Sequence, residues 1–384
     1  MASSSKPLTA YNLRSQQTTK ISDFASALKK ALDAVTPTTE RYRDVCVLSL
    51  HWENDQMGVA KLNSDLLKVF KNDYNFKTMS FQIPVIGSYL ALQNKLTKWA
   101  TDWGKKDLLR ILVYSGHAEY SGTAVFKWLI AGRANAQGNL VGPRIDWRRI
   151  SGILENVDGD LVYMFDCCSA ATVAMEDGPE TIAATGWEQS GTDNVHFSFT
   201  QALIDTLKDL NGVPETVAGI YARLFRNAYQ NQVGSCPVHV PKKGSPSITI
   251  KRKVGKEVEK LQASKATGSN RVLLSVKTRG EVSESDINSW EKWLTTNIPP
   301  GILSVDVKVE AVFRGSGLLL VTIPVQLWTM LPAHGVAYSF VAHVTSSNTL
   351  PSMTRNLAIR PPPPSGQENR RPVQPSHNQR KSIG

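Results

Sequence analysis

The sequence predicts an α/β protein: a mainly parallel sheet with helices on both faces, followed by a small α+β unit of ferredoxin-like βαββαβ order. Three observations carry this. Apolar runs without alternation, such as Val45–His51 and Leu108–Tyr114, suit central strands buried on both faces. Segments with helical apolar spacing alternate with those runs, the pattern of βαβ units. Beyond residue 270 the periodicities follow a new order: strand, helix, two strands, helix, strand.

The elements follow in chain order. Ile21–Val35 has a helical rhythm at Ile21, Phe24, Leu28, Leu32 and Val35, and Thr36-Pro37 stops it. Val45–His51 is the first strand. Leu62–Phe70 is a helix with Leu62, Leu66, Leu67 and Phe70 on one face. Phe76–Ile83 reads as a strand, Tyr89–Asp102 as a helix, Leu108–Tyr114 as the third strand and Trp147–Leu154 as a short helix. Asp160–Phe165 is a fourth strand and Thr181–Gly186 a fifth, closed by helices at Phe199–Leu210 and Val217–Tyr229. A short helix is expected at Val254–Leu261. In the second unit the strands are Val272–Lys277, Ser304–Phe313, Leu318–Ile323 and Val336–Val344, with helices at Ser285–Thr295 and Val325–Leu331. The expected organisation is a polar leader (1–40), a first domain (41–241), a basic linker (242–270), the ferredoxin-like domain (271–345) and a Pro/Arg-rich tail (346–384). The tail, with Pro361–Pro364, cannot bury a core and is expected to be disordered.

Charge and composition exclude several functions. The 384 residues carry 44 Lys+Arg against 33 Asp+Glu, a formal net charge of +11. By segment, residues 41–241 are net −2 and residues 266–345 are net 0, whereas 1–40 are +2, 242–265 are +6 and 346–384 are +5. The excess therefore lies outside the periodic segments, where basic runs act as weak attractors for any polyanion. Without zinc-finger spacing or an aromatic RNA-binding motif, no specific nucleic-acid partner is expected. No apolar run reaches the length of a membrane span, and the first twenty residues lack a signal-peptide core. Four cysteines (Cys46, Cys167, Cys168, Cys236) are too few for a disulfide scaffold, so a reducing, cytoplasmic setting is expected.

Two strand ends carry candidate chemistry: Tyr114-Ser115-Gly116-His117-Ala118 and Phe165-Asp166-Cys167-Cys168-Ser169. Open α/β sheets bind ligands outside the carboxyl ends of their strands. One end offers an imidazole and the other a thiol, the minimum for a Cys–His nucleophile pair. Strand alternation puts Asp166 and Cys168 on one face, with Phe165 and Cys167 on the core side. A carboxylate two residues before the nucleophile suits a cationic substrate side chain. Trp290 and Trp293, three apart on a helix, read as core, and Cys46 as packing. His196 and His239 lack metal-ligand spacing, and no Gly-rich phosphate loop occurs.

On these residues the chain resembles the caspase-like cysteine peptidases, most of all metacaspases, whose usual pattern is YSGHG with DCCHSG; here it reads YSGHA and DCCSAA. The segment WENDQMGVAKLNSDLLKVF is similar to the entry to the first helix in fungal caspase-domain proteins. ETIAATGWE and HFSFTQALIDTL are similar to their segments after the nucleophile. INSWEKWL and IPVQLWTMLP, with AYSFVAHV, are similar to a C-terminal appendage of the same proteins. The resemblance covers about residues 41–345. It implies a caspase-like fold and a cysteine-type endopeptidase (a thiol protease, hence a hydrolase), with Cys168 as nucleophile and His117 as general acid/base. It places Asp166 at the floor of the S1 pocket, favouring Arg or Lys, and forms the oxyanion hole from the backbone N–H groups of Ala118 and Cys168. It also suggests a role in proteolysis during regulated cell death (apoptosis), and a monomer.

The departures define the rival readings. Ala118 stands where the pattern has glycine, so strain is expected there if the position needs positive φ. The His-Ser-Gly after the metacaspase cysteine is missing, and the second S1 acid has only Asp55 and Asp65 as candidates. Some metacaspases need calcium; Glu176-Asp177 reads as a solvated loop without an oxygen cage, so no cofactor or metal site is assigned and calcium dependence stays open. The alternative to the peptidase is a catalytically inactive caspase-like adaptor or scaffold. A polyanion-binding protein working through the basic linker and tail ranks third. Lys242-Lys243 and Lys251-Arg252-Lys253 read as exposed basic sites that a basic-specific peptidase could process, the alternative being an uncut, solvated linker.

Overall fold

The structure, a computed structural model, describes residues 18–37, 42–121, 127–168, 178–184, 199–229, 236–253, 271–279, 307–313, 317–332 and 337–345. Helix α1 (Ile21–Val35) precedes strand β1 (Asp44–Trp52), helix α2 (Val59–Asn72), strand β2 (Lys77–Ile83), helix α3 (Ser88–Trp103) and strand β3 (Leu108–Ser115). Strands β4 (His117–Ser121), β5 (Lys127–Ala134) and β6 (Leu140–Asp146) come next, then a 3-10 turn (Trp147–Arg149), helix α4 (Gly152–Glu155) and strand β7 (Asp160–Asp166). Strand β8 (Glu180–Ala183), helix α5 (Phe199–Leu210), strand β9 (Glu215–Thr216), helix α6 (Val217–Tyr229), strand β10 (Val238–Val240) and strand β11 (Thr249–Ile250) complete the first part.

The main sheet has the order β10-β8-β7-β3-β1-β2. Every pairing from β8 to β2 is parallel; β10 alone runs antiparallel, against β8. Alternation along the central strands divides the core in two. Val45 and Val47 of β1, Leu109, Ile111 and Val113 of β3, and Val162 and Met164 of β7 face one way, toward apolar side chains of α1, α2, α5 and α6. Cys46, Leu48, Leu50, Leu112, Tyr114, Tyr163 and Phe165 face the other way, toward α3, α4 and the β4–β6 sheet. That second sheet (order β4-β5-β6) packs through Trp128, whose ring lies 5.5 Å from Phe165, while Trp147 of the following turn lies 6.0 Å from Tyr163.

The second unit is a four-stranded antiparallel sheet of β12 (Arg271–Lys277), β13 (Lys308–Phe313), β14 (Leu318–Pro324) and β15 (Tyr338–Val344), with helix α7 (Val325–Met330). Its order is β13-β14-β12-β15. Numbered within the unit, this is 2-3-1-4, the sheet that a split βαβ pattern generates. The expected helix at Ser285–Thr295, with Trp290 and Trp293, lies outside the described residues. So do the helix expected at 254–261, His196, Glu176-Asp177 and the tail.

One hydrophobic cluster joins both sheets. Phe24, Leu28 and Leu32 of α1 belong to it, together with Val272, Leu274, Leu319 and Val321 of the second sheet and Val47 and Ile111 of the first. The Phe24 and Tyr338 rings meet at 5.5 Å. Helix α1 thus acts as core, and burying its apolar stripe against both sheets is what makes so short a helix stable.

Three expectations are corrected. The β4–β6 sheet and the short β9–β11 and β10–β8 pairings were not foreseen. Arg252 and Lys253 are docked on the first domain rather than exposed for processing. Lys253 Nζ meets Asp44 Oδ1 at 2.9 Å and the Arg43 carbonyl at 2.7 Å, and Arg252 donates to Asn211 Oδ1 at 2.8 Å. Burial pushes the Asp44 carboxyl up, but hydrogen bonds from Lys253, Lys77 and the Val45 amide outweigh it and hold the group below its ordinary value. The third correction, at Ala118, belongs to the site.

Candidate functional site at the carboxyl ends of β3 and β7

Strands β3 and β7 are adjacent and parallel, and their last paired residues are Ser115 and Asp166. The Gly116 N–H donates to the Asp166 carbonyl at 3.2 Å, extending the contact one residue further. His117 and Cys168 each lie two residues beyond that last pair. Backbone register therefore brings the imidazole-bearing and thiol-bearing segments together at neighbouring strand ends, and it places Ala118 and Asp166 with them. Both His117 and Cys168 are half-buried.

The two adjacent thiols differ in setting. Cys167 is 4% exposed and packs in the cluster of Tyr114, Trp128 and Phe165. Burial pushes its thiol well above the ordinary value, with the charges of Cys168 and Asp166 adding to the effect. Cys46 behaves as packing: burial pushes it up to about 11, and the Trp99 indole N–H donates to its sulfur at 3.3 Å.

Tyr-Ser-Gly-His has a local physical logic. The buried Tyr114 hydroxyl turns back over the following turn and donates to the His117 carbonyl at 2.8 Å; the Ala131 carbonyl lies 3.3 Å away. The hydroxyl passes so close to Gly116 that a Cβ there would lie 2.9 Å from Tyr114 Oη. Gly116 also has φ +151°, a region that L side chains rarely adopt. Ala118, by contrast, is an ordinary strand residue paired with Ile130 of β5. Among the described residues only Asn75 and Asn211 combine a side chain with positive φ, so the strain expected at Ala118 is absent. The position that needs glycine is Gly116.

Asp166 is engaged from above. Its Oδ2 accepts the Thr200 backbone N–H at 2.9 Å and the Thr200 hydroxyl at 2.7 Å, both from the first turn of α5. Ser115 Oγ contacts Asn63 Oδ1 of α2 at 2.8 Å and Thr200 Oγ1 at 3.3 Å. Asn63, Ser115 and Thr200 are each 1% exposed. The sequence reading missed all three. Their one sequence-level signal is that they are polar residues set in otherwise apolar faces.

A further polar group lies at the end of the next strand, β1. Ser49 and His51 point to the same side as Val45 and Val47 and are buried; among the described residues neither the Ser49 hydroxyl nor either His51 ring nitrogen has a hydrogen-bond partner. Burial lowers the His51 pKa, and the charge of Asp55 pulls against that. Asp55 caps α2 through Oδ2, which accepts the Val59 N–H at 3.0 Å, and its Oδ1 is buried without a partner. Asp65, the other acid named beside it, pairs with Lys68 at 2.8 Å on the surface of α2. Among the described residues no three His, Cys, Asp or Glu side chains converge on a common point. None of their helices is long and apolar enough to cross a membrane.

No family model matches the chain, and no match was found among curated proteins. Solved structures give faint likenesses. Protein GSU0716 from Geobacter sulfurreducens is 11% identical with TM-score 0.39, over 53% of this chain and 97% of that one. Caspase-1 from Spodoptera frugiperda is 11% identical with TM-score 0.34, over 55% and 90%. The Drosophila initiator caspase Dronc is 12% identical with TM-score 0.36, over 56% and 85%. Likenesses this faint carry no argument about chemistry, which rests on the residues themselves.

Proposed function

We propose that the chain is a cysteine-type endopeptidase of the caspase-like kind, with Cys168 as nucleophile and His117 as general acid/base, cutting after Arg or Lys. The observation that carries this reading is the register that ends β3 and β7 at Ser115 and Asp166, two residues before the imidazole and the thiol. In this reading His117 takes the Cys168 proton, and the thiolate attacks the substrate carbonyl carbon. The backbone N–H groups of Cys168 and Ala118 hold the developing oxyanion. His117 then protonates the leaving amine, and water attacks the thioester to release the acid and regenerate the thiol. Asp166 supplies the negative charge for a basic P1 side chain. The protein works as a monomer in the cytoplasm, where a chain with only four cysteines suits a reducing setting, in proteolysis tied to regulated cell death. Weak polyanion contact through the basic linker and tail is a side effect of their charge.

A catalytically inactive adaptor or scaffold is the second reading. The observation that favours it is the single hydrophobic cluster joining the two sheets, which suits a rigid platform.

Fluorogenic peptides ending in Arg, Lys or Asp, offered with and without calcium, separate the two. Cleavage after Arg by wild type, lost in Cys168→Ala and kept in Cys167→Ala, is expected. Equal cleavage by Cys168→Ala, or none by wild type under any condition, sinks the peptidase and leaves the scaffold.

A further inference from the structure

The contacts behind Asp166 form a directed relay once protons are counted. A hydroxyl donates once. Thr200 gives its proton to Asp166 Oδ2. If Ser115 gives its proton to Asn63 Oδ1, no proton remains for the 3.3 Å contact between Ser115 and Thr200, and Asn63 Nδ2 stays buried without a partner. Turning the Asn63 amide over, an assignment that hydrogen-bond logic decides, supplies the missing proton and leaves Oδ1 rather than Nδ2 at the position without a partner among the described residues. Nδ2 then donates to Ser115, Ser115 to Thr200, and Thr200 to the carboxylate. Every bond points the same way, toward Asp166, and the Thr200 N–H at the start of α5 adds a second donor.

We infer that Thr200, backed by Ser115 and Asn63, is a positioning residue that fixes the Asp166 carboxylate as the cation-recognising group beside Cys168. The proposal rests on the peptidase reading for its substrate, a peptide with a basic P1 residue, but the relay itself does not. Four elements meet in it: α2 through Asn63, β3 through Ser115, β7 through Asp166 and α5 through Thr200. The two strands are those that carry His117 and Cys168 just beyond. Orienting the acid costs nothing when the substrate arrives, because both donors are already in place.

The test uses the full chain and two readouts. In the first, Thr200→Val keeps the shape and removes the hydroxyl, and Thr200→Ser restores it. With Arg-ending peptides, KM is expected to rise about tenfold in Thr200→Val, the size of one charge-assisted hydrogen bond, with kcat falling less than twofold, and to recover in Thr200→Ser. The second readout needs no hydrolysis: alkylation of Cys168, followed by mass spectrometry, with cationic 2-bromoethylamine against neutral 2-bromoethanol. The cationic reagent is expected to react faster with wild type, and the preference to fall in both Thr200→Val and Asp166→Asn. A chain that hydrolyses no peptide but shows this preference and its loss keeps the positioning role and loses the peptidase. Unchanged KM and unchanged alkylation preference in Thr200→Val overturn the positioning role. So do parallel falls in kcat and in both alkylation rates, which mark a merely structural residue.

Discussion

Two buried polar groups sit on different strands of the main sheet, β8 and β1, and they are finished to different degrees. At the joint between the sheets, Glu180 of β8 is 1% exposed and accepts from Ser247 Oγ at 2.6 Å and the Ile248 N–H at 2.7 Å, and its Oε1 lies 2.9 Å from His239 Nε2 of β10. His239 Nδ1 lies 3.0 Å from Thr329 Oγ1 of α7, whose hydroxyl donates to the Gln326 carbonyl. Glu180 and Thr329 thus hold the two ring nitrogens of His239 between them. Ser247 accepts in turn from the Ala218 N–H at 3.0 Å. Each of the polar side chains named here has a partner. At the carboxyl end of β1 the opposite holds: Ser49, both His51 nitrogens and Asp55 Oδ1 have none among the described residues. A complete network rigidifies, whereas buried polar groups left open mark places where a protein trades stability for something else. The joint reads as architecture, and the β1 end as the place where stability has been given up.

The largest effect that would break this contrast is at the joint. Glu180→Ala leaves the His239 ring, the Ser247 hydroxyl and the Ile248 amide buried without their acceptor, and about 3–5 kcal/mol of stability should go, read by urea unfolding. A loss under about 1 kcal/mol would mean the network is not what holds the sheets together. Gly116→Ala comes next. It forces a side chain into positive φ and against Tyr114 Oη, so roughly 1–3 kcal/mol should be lost together with Cys168 reactivity. A variant as stable as wild type would remove the account of the Tyr-Ser-Gly-His turn.

The third prediction concerns pH. His51 has a lowered pKa in the folded chain, against 6.5 as its ordinary value. The unfolded chain therefore binds a proton first as pH falls, and stability drops below about pH 6.5 until the folded value is passed. Removing the imidazole with His51→Leu should flatten that acid limb and leave stability above pH 7 equal or higher. An unchanged limb would show that His51 is not its source. The smallest effect is at Ser49. Its hydroxyl has no partner, so Ser49→Ala should shift stability by no more than about 0.5 kcal/mol, and upward if at all. A loss above about 1 kcal/mol would reveal a partner, such as an ordered water, and would close part of the gap between the two networks.

How much of this was legible in the sequence follows from what each feature depends on. Continuous apolar runs such as Leu108–Tyr114 announce strands buried on both faces, because only a parallel sheet covered on both sides buries every residue. The two strand ends with a histidine and a thiol were equally readable. Register was not: nothing local says that Ser115 pairs with Asp166. The β4–β6 sheet escaped because HAEYS and LVGPRID mix polar and apolar residues without a clean period. Asn63, Ser115 and Thr200 are common polar residues far apart in the chain, so only the fold discloses that they touch. Arg252 and Lys253 looked like exposed charge because a basic run is usually solvated, but Asp44 and Asn211 supply the partners from distant parts of the chain. His239 was judged by metal spacing, a question that never reached its carboxylate partner.

The joint also sets a schedule. Glu180 is made early, yet its imidazole partner lies 59 residues downstream, and the hydroxyl beside that ring lies another 90 further on. At about 5–20 residues per second, roughly 7–30 s of synthesis separate the buried carboxylate from the last group that completes its surroundings. Until then the outer edge of β8 is an unfilled template in a half-made chain, and the ribosome keeps it waiting.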